Sequence, residues 1–263
     1  MESEPKSPKT ILKNAARQLF VSIIILAAGF LVLNWSAYSQ IAKSKWQKWR
    51  GIEQTTPLTG LTSPEDKPVV TENLEITAGL NRKQDKIPPL NLEITPIDNR
   101  LIIPRINQNI PIVRVSSESL LKRDWDGLEK EIQGALRDGV VHYPGTSLPG
   151  QAGNVVITGH SSYFPWDPGR FKDVFALLHD VVIGDRMIIY HNQNKYLYEV
   201  NDIQVVMPDN IQVLKQSPED HLTLITCTPV GTNLKRLVVT AKPIAINDKI
   251  ISADGQNKAI LRN

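Results

Sequence analysis

Residues 221 to 244 read HLTLITCTPVGTNLKRLVVTAKPI. Two runs rich in Val, Ile, Leu and Thr, HLTLITC (221–227) and RLVVTAKPI (236–244), flank a Thr-Pro-Val-Gly segment with turn chemistry. β-Branched residues fit a pleated, half-buried surface, and Pro and Gly punctuate it, so the stretch reads as two strands joined by a turn. Toward the N-terminus the same texture recurs in YLYEVNDIQVV (196–206), DRMIIYH (185–191), GNVVITG (153–159), NIPIVRV (109–115) and LIIPRI (101–106). Short apolar runs separated by turn signals predict one mainly β domain, a sandwich or barrel, over residues 92–246. Pro104 and Pro111 suit edges or bends, and Asn107-Gln108-Asn109 suits a hairpin. Two helices are expected beside the strands. One is Ser119–Leu136, interrupted by Gly127 and Gly134; the other is Gly169–His179, where Phe171, Val174, Phe175 and Leu178 recur at helical spacing.

Upstream of that domain the composition changes twice. Residues 53–90 are rich in Thr, Pro, Glu, Asn and Lys with no sustained period, which predicts a flexible stalk, with a polar insertion packed on the domain as the alternative. Residues 19–38, LFVSIIILAAGFLVLNWSAY, carry no charge. About 20 residues of helix cover roughly 30 Å, a bilayer's hydrocarbon core, so this segment is expected to span a membrane. Trp35 and Tyr38 suit the headgroup layer at one end. A cleaved signal peptide ending near Ala37-Tyr38-Ser39 is the competing reading. Lys6, Lys9, Lys13 and Arg17 balance Lys43, Lys45, Lys48 and Arg50, so charge leaves the orientation open. The expected organisation is a tail (1–18), a transmembrane signal-anchor helix (19–38), a juxtamembrane segment with stalk (39–91), the β domain (92–246) and a C-terminal tail (247–263).

A single cysteine cannot form an internal disulfide, and a net charge of +3 spread along the chain without rows of aromatics does not point to nucleic acid. Cys227 ends a strand-like run just before a turn, where a side chain is both held and reachable. A small core hydrophobe is the bland alternative. A nucleophilic thiol needs a proton acceptor or a cation nearby. His160 ends GNVVITGH and is followed by polar Ser161-Ser162, an equivalent rim position. If residues 227–236 form a hairpin, Arg236 comes opposite the thiol, where it can donate to an oxyanion. The loop from Met207 to Pro218 joins two strands and is a candidate for substrate selection. Asp124, Asp126, Glu129, Lys130 and Glu131 read as a solvated helix face without metal-ligand spacing.

TLITCTPVGTNLKR (223–236) closely resembles the active-site segment of the sortase cysteine transpeptidases, and NVVITGHSSYF (154–164) resembles the strand and loop carrying the family histidine. VVHYPGTSLPGQAGN (140–154) is similar to the segment before it, and the resemblance runs from about Arg100 to Ile246. It implies a closed eight-stranded β-barrel held by one N-terminal helix, with the catalytic domain outside the cytoplasm. Cys227 is then similar to the nucleophile, His160 to the catalytic histidine and Arg236 to the arginine that orients substrate. Thr226 matches an assisting threonine, and Ser161 and Met207 are placed with it as substrate contacts. The implied activity cleaves a Leu-Pro-x-Thr-Gly-like signal in a partner protein through a thioester and passes the acyl group to an amine acceptor, a peptidoglycan precursor or pilin-type lysine. No metal or cofactor is expected. The short Cys-to-Arg interval resembles class C, D and E members more than class A or B; residues 53–100 lack the Asp-Pro-aromatic lid usual in class C and residues 245–263 its second helix, so a class D or E type is the better match. An L,D-transpeptidase would place His in a Ser-His-Gly-Cys pattern, which His221 does not match. A non-catalytic, membrane-anchored β-barrel that binds or displays peptides is the rival from another class, and rapid alkylation of the thiol would distinguish it.

Overall fold

Alternation along the strands sorts this chain into an inside and an outside. In the computed structural model, which describes residues 8–51, 57–62 and 95–251, Leu222, Leu224, Leu237, Val239, Val155 and Ile157 point into one buried cluster. Their neighbours Ile225, Val238 and Val156 point the other way into a second cluster. A period of two with both faces covered is what a barrel wall under loops requires.

The strands are β1 (Arg100–Ile103), β2 (Gln108–Arg114), β3 (Val140–His142), β4 (Asn154–Thr158), β5 (Arg186–His191), β6 (Asn194–Val206), β7 (His221–Thr228) and β8 (Lys235–Ile246). They hydrogen-bond in the order β6-β5-β1-β2-β3-β4-β7-β8, and a β6–β8 pairing closes the ring. This is the expected closed eight-stranded barrel, which leaves no open edge. A two-residue strand, β9 (Lys249–Ile250), adds to the end of β8 inside what was expected to be the C-terminal tail. The β1–β2 hairpin turns through a 3₁₀ segment, Pro104–Ile106, and a left-handed Asn107, so Pro104 sits where a missing N–H costs nothing.

Both helical expectations need correction. The first region is two helices, α3 (Glu118–Leu121) and α4 (Trp125–Ala135), with the break at Lys122–Asp124 rather than at a glycine. Arg123 is left-handed, and Asp124 caps α4 by accepting from Gly127 N–H at 2.9 Å; a side chain that satisfies a free helix donor starts a new helix there. Residues 169–177 form turns, and only Leu178–Asp180 is a 3₁₀ turn. Val174, Phe175 and Leu178 nevertheless enter the barrel core and Phe171 packs against it. The Phe175 N–H is spent on the His160 carbonyl at 2.9 Å instead of on a helix bond. Tertiary packing overrides the helical period here.

At the N-terminus, α1 (Pro8–Leu33) contains an apolar stretch, Leu12–Leu33, long enough to cross a membrane and uncovered by protein. It begins and ends earlier than the expected 19–38. After a turn at Asn34 the chain continues as α2 (Trp35–Trp49), and helical bonds run through the junction from Asn34 N–H to Phe30 O and from Tyr38 N–H to Asn34 O. The expected juxtamembrane segment therefore starts as a docked helix. Asn34, Ala37, Tyr38, Ile41 and Ser44, spaced by three and four, form its covered side. Tyr38 Oη donates to Val230 O at 3.0 Å; Ser36 and Gln40 donate to Asp173; Ser44 and Lys48 donate to Asp180 at 2.7 and 2.6 Å. Of the expected stalk, Pro57–Thr62 is a 3₁₀ turn with Thr62 O accepting from Arg186; its remaining residues beyond Gly51 lie outside those described.

Candidate active site

β7 and β8 run antiparallel with Ile225↔Val238, Thr226↔Leu237 and Cys227↔Arg236 as partners. Directly opposed residues share a face, with side chains about 5 Å apart at their bases. Cys227 and Arg236 have the same parity as Ile225 and Val238, which lie in the outer cluster. The thiol and guanidinium therefore stand on the outside of the wall, at the end of the two strands. On the other side of β7, β4 runs parallel with Thr158↔Ile225 as the last pair. Gly159 N–H still donates to Ile225 O at 3.2 Å, and Thr226 Oγ1 donates to Gly159 O at 2.8 Å. The chains thus remain adjacent past the last pair, and His160 lies two residues beyond it, as Cys227 lies two residues beyond Ile225.

Gly159 makes that approach possible. A Cβ there would lie 2.7 Å from the Phe175 ring and 3.0 Å from Val140, so only glycine lets the inner side of this position close on the core. The candidate groove at these strand ends is the outer face of the wall, floored by the outer cluster. Val213 and Leu214, from the segment 207–220 between β6 and β7, pack with Val206 on Val156, Ile225 and Val238. Asn154 fixes that segment by donating to Val213 O at 2.9 Å and accepting at 2.7 Å from Thr223. This segment and the β7–β8 turn, where Gly231 N–H donates to Ser162 Oγ at 2.9 Å, are the groove's candidate walls.

Burial holds the His160 imidazole at a pKa of about 4, against 6.5 for a free ring, with Asp167 and Glu129 pulling weakly upward. The imidazole is therefore neutral near pH 7 and is a proton acceptor at rest. It stacks on Tyr163, centroid to centroid 4.3 Å at 22°. Cys227 is half-buried and free. Arg236 is held by Nη1 donating to Asn233 O at 3.0 Å and Lys235 O at 3.2 Å. A thiol and a fixed cation paired across β7 and β8, with a neutral imidazole just past the end of the neighbouring β4, are groups of the kinds that acyl transfer at sulfur requires.

The other predicted contacts separate. Thr226 is on the inner side, 3% exposed, with its hydroxyl engaged by Gly159, so it ties β7 to β4 and does not line the groove. Ser161 is buried and its Oγ has no hydrogen-bond partner in the structure. Met207 is exposed immediately after Val206, which pairs with Arg236, and so opens the segment that walls the groove. The strand pattern did not indicate Tyr163, Ser162 or the turn contact at Gly231; an aromatic three residues after His160 in a polar loop was the available signal. Among the described residues no group of three or more His, Cys, Asp or Glu could hold a metal ion.

A family model described as the Sortase domain matches residues 101–244. The chain is similar to Sortase A of Bacillus anthracis, 26% identical over 160 residues, covering 60% of this chain and 65% of that protein. It is also similar to Sortase D of Bacillus subtilis (strain 168), 28% identical over 148 residues, covering 55% of this chain and 62% of that one. In both cases the match spans less than two thirds of the relative. Among solved structures, sortase C-1 from Actinomyces oris is 32% identical with a TM-score of 0.46, covering 56% of this chain and 73% of that chain.

Proposed function

The chain belongs to the sortase family, and on that premise we propose that it is a membrane-anchored cysteine transpeptidase that joins proteins to amine acceptors at the cell surface. The observation that carries the reading is the register of β7 and β8, in which Cys227 is the partner of Arg236, with His160 two residues past the end of the neighbouring β4. The donor is a partner protein bearing an extended, Leu-Pro-x-Thr-Gly-like signal, laid between the 207–220 segment and the β7–β8 turn. Exposed Met207 is its candidate contact, whereas the buried Ser161 hydroxyl lies beneath the surface and is not reached by it.

Neutral His160 accepts the thiol proton as Cys227 Sγ attacks the Thr carbonyl carbon, and the C=O electron pair moves to oxygen. Arg236 donates hydrogen bonds to that oxyanion from a guanidinium already held by two loop carbonyls. As the C–N bond breaks, His160 passes its proton to the leaving amine and a thioester remains. An incoming amine then attacks the thioester and yields its proton to His160. Breaking of the C–S bond releases the new amide, and the sulfur recovers its proton. The acceptor class is a peptidoglycan-precursor or pilin-type amine, and the short Cys-to-Arg interval, together with a sequence without the lid motif of class C, favours a class D or E member. Among the described residues the helix α1 is the one membrane crossing, the barrel lies outside the cytoplasm, and the catalytic domain comprises residues 92–246.

The test is incubation of the full chain in detergent with Leu-Pro-x-Thr-Gly-like peptides and amine acceptors. A covalent peptide adduct on Cys227 and a transfer product are expected, both lost in Cys227→Ala. Transfer that persists in the alanine variant would refute catalysis at that sulfur.

A further inference from the structure

The helix that leaves the barrel does so at the catalytic turn. Gly231, four residues after Cys227, has φ +87, and a Cβ there would lie 2.7 Å from Phe30 and 3.0 Å from Asn34. Phe30 is in the last turn of the apolar stretch Leu12–Leu33, and Asn34 follows it directly. Further along α2 the contacts move to Val230 and Asp173 and then to Asp180. The helix thus meets the barrel first at the β7–β8 turn and continues across its loops. At 1.5 Å per residue, one turn of helix covers about 5 Å, so the β7–β8 turn lies within about that distance of the level at which the apolar helix ends.

Exposed apolar side chains surround this point. Leu234, in the same turn and two residues before Arg236, is 63% exposed. Ser162, which accepts from Gly231 N–H, leads into Phe164 and Trp166, 50% and 70% exposed and stacked on each other at 4.9 Å. An aromatic pair and a leucine that are each half or more exposed, joined through the β7–β8 turn to the point where an apolar helix ends, have the composition of an interfacial contact. We propose that the membrane surface is the partner of this rim: Leu234, Phe164 and Trp166 rest in the lipid headgroup layer, and the groove holding Cys227 and Arg236 opens at that surface. This inference rests on α1 crossing the membrane.

Depth measurement tests it without any catalytic readout. Single cysteines replace Leu234, Trp166, Leu26 or Asn192 in the full chain carrying Cys227→Ala. Each is labelled with an environment-sensitive fluorophore and reconstituted in phosphatidylcholine vesicles with or without headgroup-region nitroxide lipids. Asn192 is the control, because it lies in the β5–β6 turn at the end of β6 opposite Val206 and Arg236. Circular dichroism and melting establish that each labelled chain is folded. The expected result is a blue shift at 234 and 166 and quenching at least about twofold greater than at 192, as for groups in the headgroup layer rather than in water. Labels at 234 and 166 as solvated and as weakly quenched as at 192 would overturn the inference. If Leu26 is also unquenched, the anchoring reading fails and this inference fails with it. If Leu26 is quenched while the rim is not, the rim contact alone is refuted and the transpeptidase reading is untouched.

Discussion

Replacing His160 with Gln isolates the energetic consequence of burying its imidazole. The folded chain keeps the ring neutral down to about pH 4, whereas the unfolded chain protonates it below the free value of 6.5. Between those limits the unfolded state holds more protons, so the contribution of this ring to stability is present above pH 6.5 and lost as pH falls toward 4. Each tenfold change in proton affinity corresponds to about 1.4 kcal/mol, so the whole window is worth about 3 kcal/mol. Asp220 acts in the opposite direction. Burial raises its carboxyl from 3.8 to about 6, against the hydrogen bond from Tyr198, so the folded chain retains a proton that the unfolded chain releases. Stability from that group is present below pH 3.8 and lost as pH rises to 6. The two slopes largely offset each other in the parent chain, and the informative quantity is a difference. Urea unfolding of the full chain and of His160→Gln, followed by tryptophan fluorescence in detergent from pH 4 to 7, cancels Asp220, His142 and His191. Relative to the variant, the parent is expected to gain about 3 kcal/mol across that range. A gap that stays constant with pH would show that the ring titrates as if in water and would refute the argument that burial sets its protonation state.

Thr226→Val removes the donor to Gly159 O inside the wall and leaves a buried carbonyl unpaired; a loss of about 1–3 kcal/mol is expected in the same unfolding assay, with full stability speaking against this tie. Gly231→Ala places a methyl against Phe30 and Asn34 at a positive φ and is expected to cost about 1–2 kcal/mol. Limited proteolysis between α2 and the barrel should accelerate with it, and an unchanged cleavage rate would contradict the docking. Arg236→Lys keeps the charge but loses the planar fork, so kcat for peptide transfer is expected to fall by about 10²–10³ with a smaller change in KM. Equal kcat in parent and variant would show that the guanidinium does not meet the oxyanion.

Much of the barrel was legible in the sequence because strands announce themselves locally. The alternation in residues 153–159 and 221–244 depends only on neighbours two apart in the chain, and the same residues line the inner and outer clusters of the wall. The placement of Cys227, His160 and Arg236 at strand ends was readable for the same reason. Helical spacing at Phe171, Val174, Phe175 and Leu178 misled, because residues that must plug a barrel end need the right side chains in reach and not a helical backbone. The face on which each group stands was a tertiary matter. Parity assigns Thr226 to the inside and Cys227 to the outside only once the β4–β7–β8 register exists. The desolvation that keeps His160 neutral likewise exists only in the folded chain. The docking of α2 was the least legible feature, since its covered side is made of small and polar residues, Ala37, Tyr38 and Ser44. They carry no amphipathic signal of their own and acquire partners only from Val230, Asp173 and Asp180, brought there by the closed barrel.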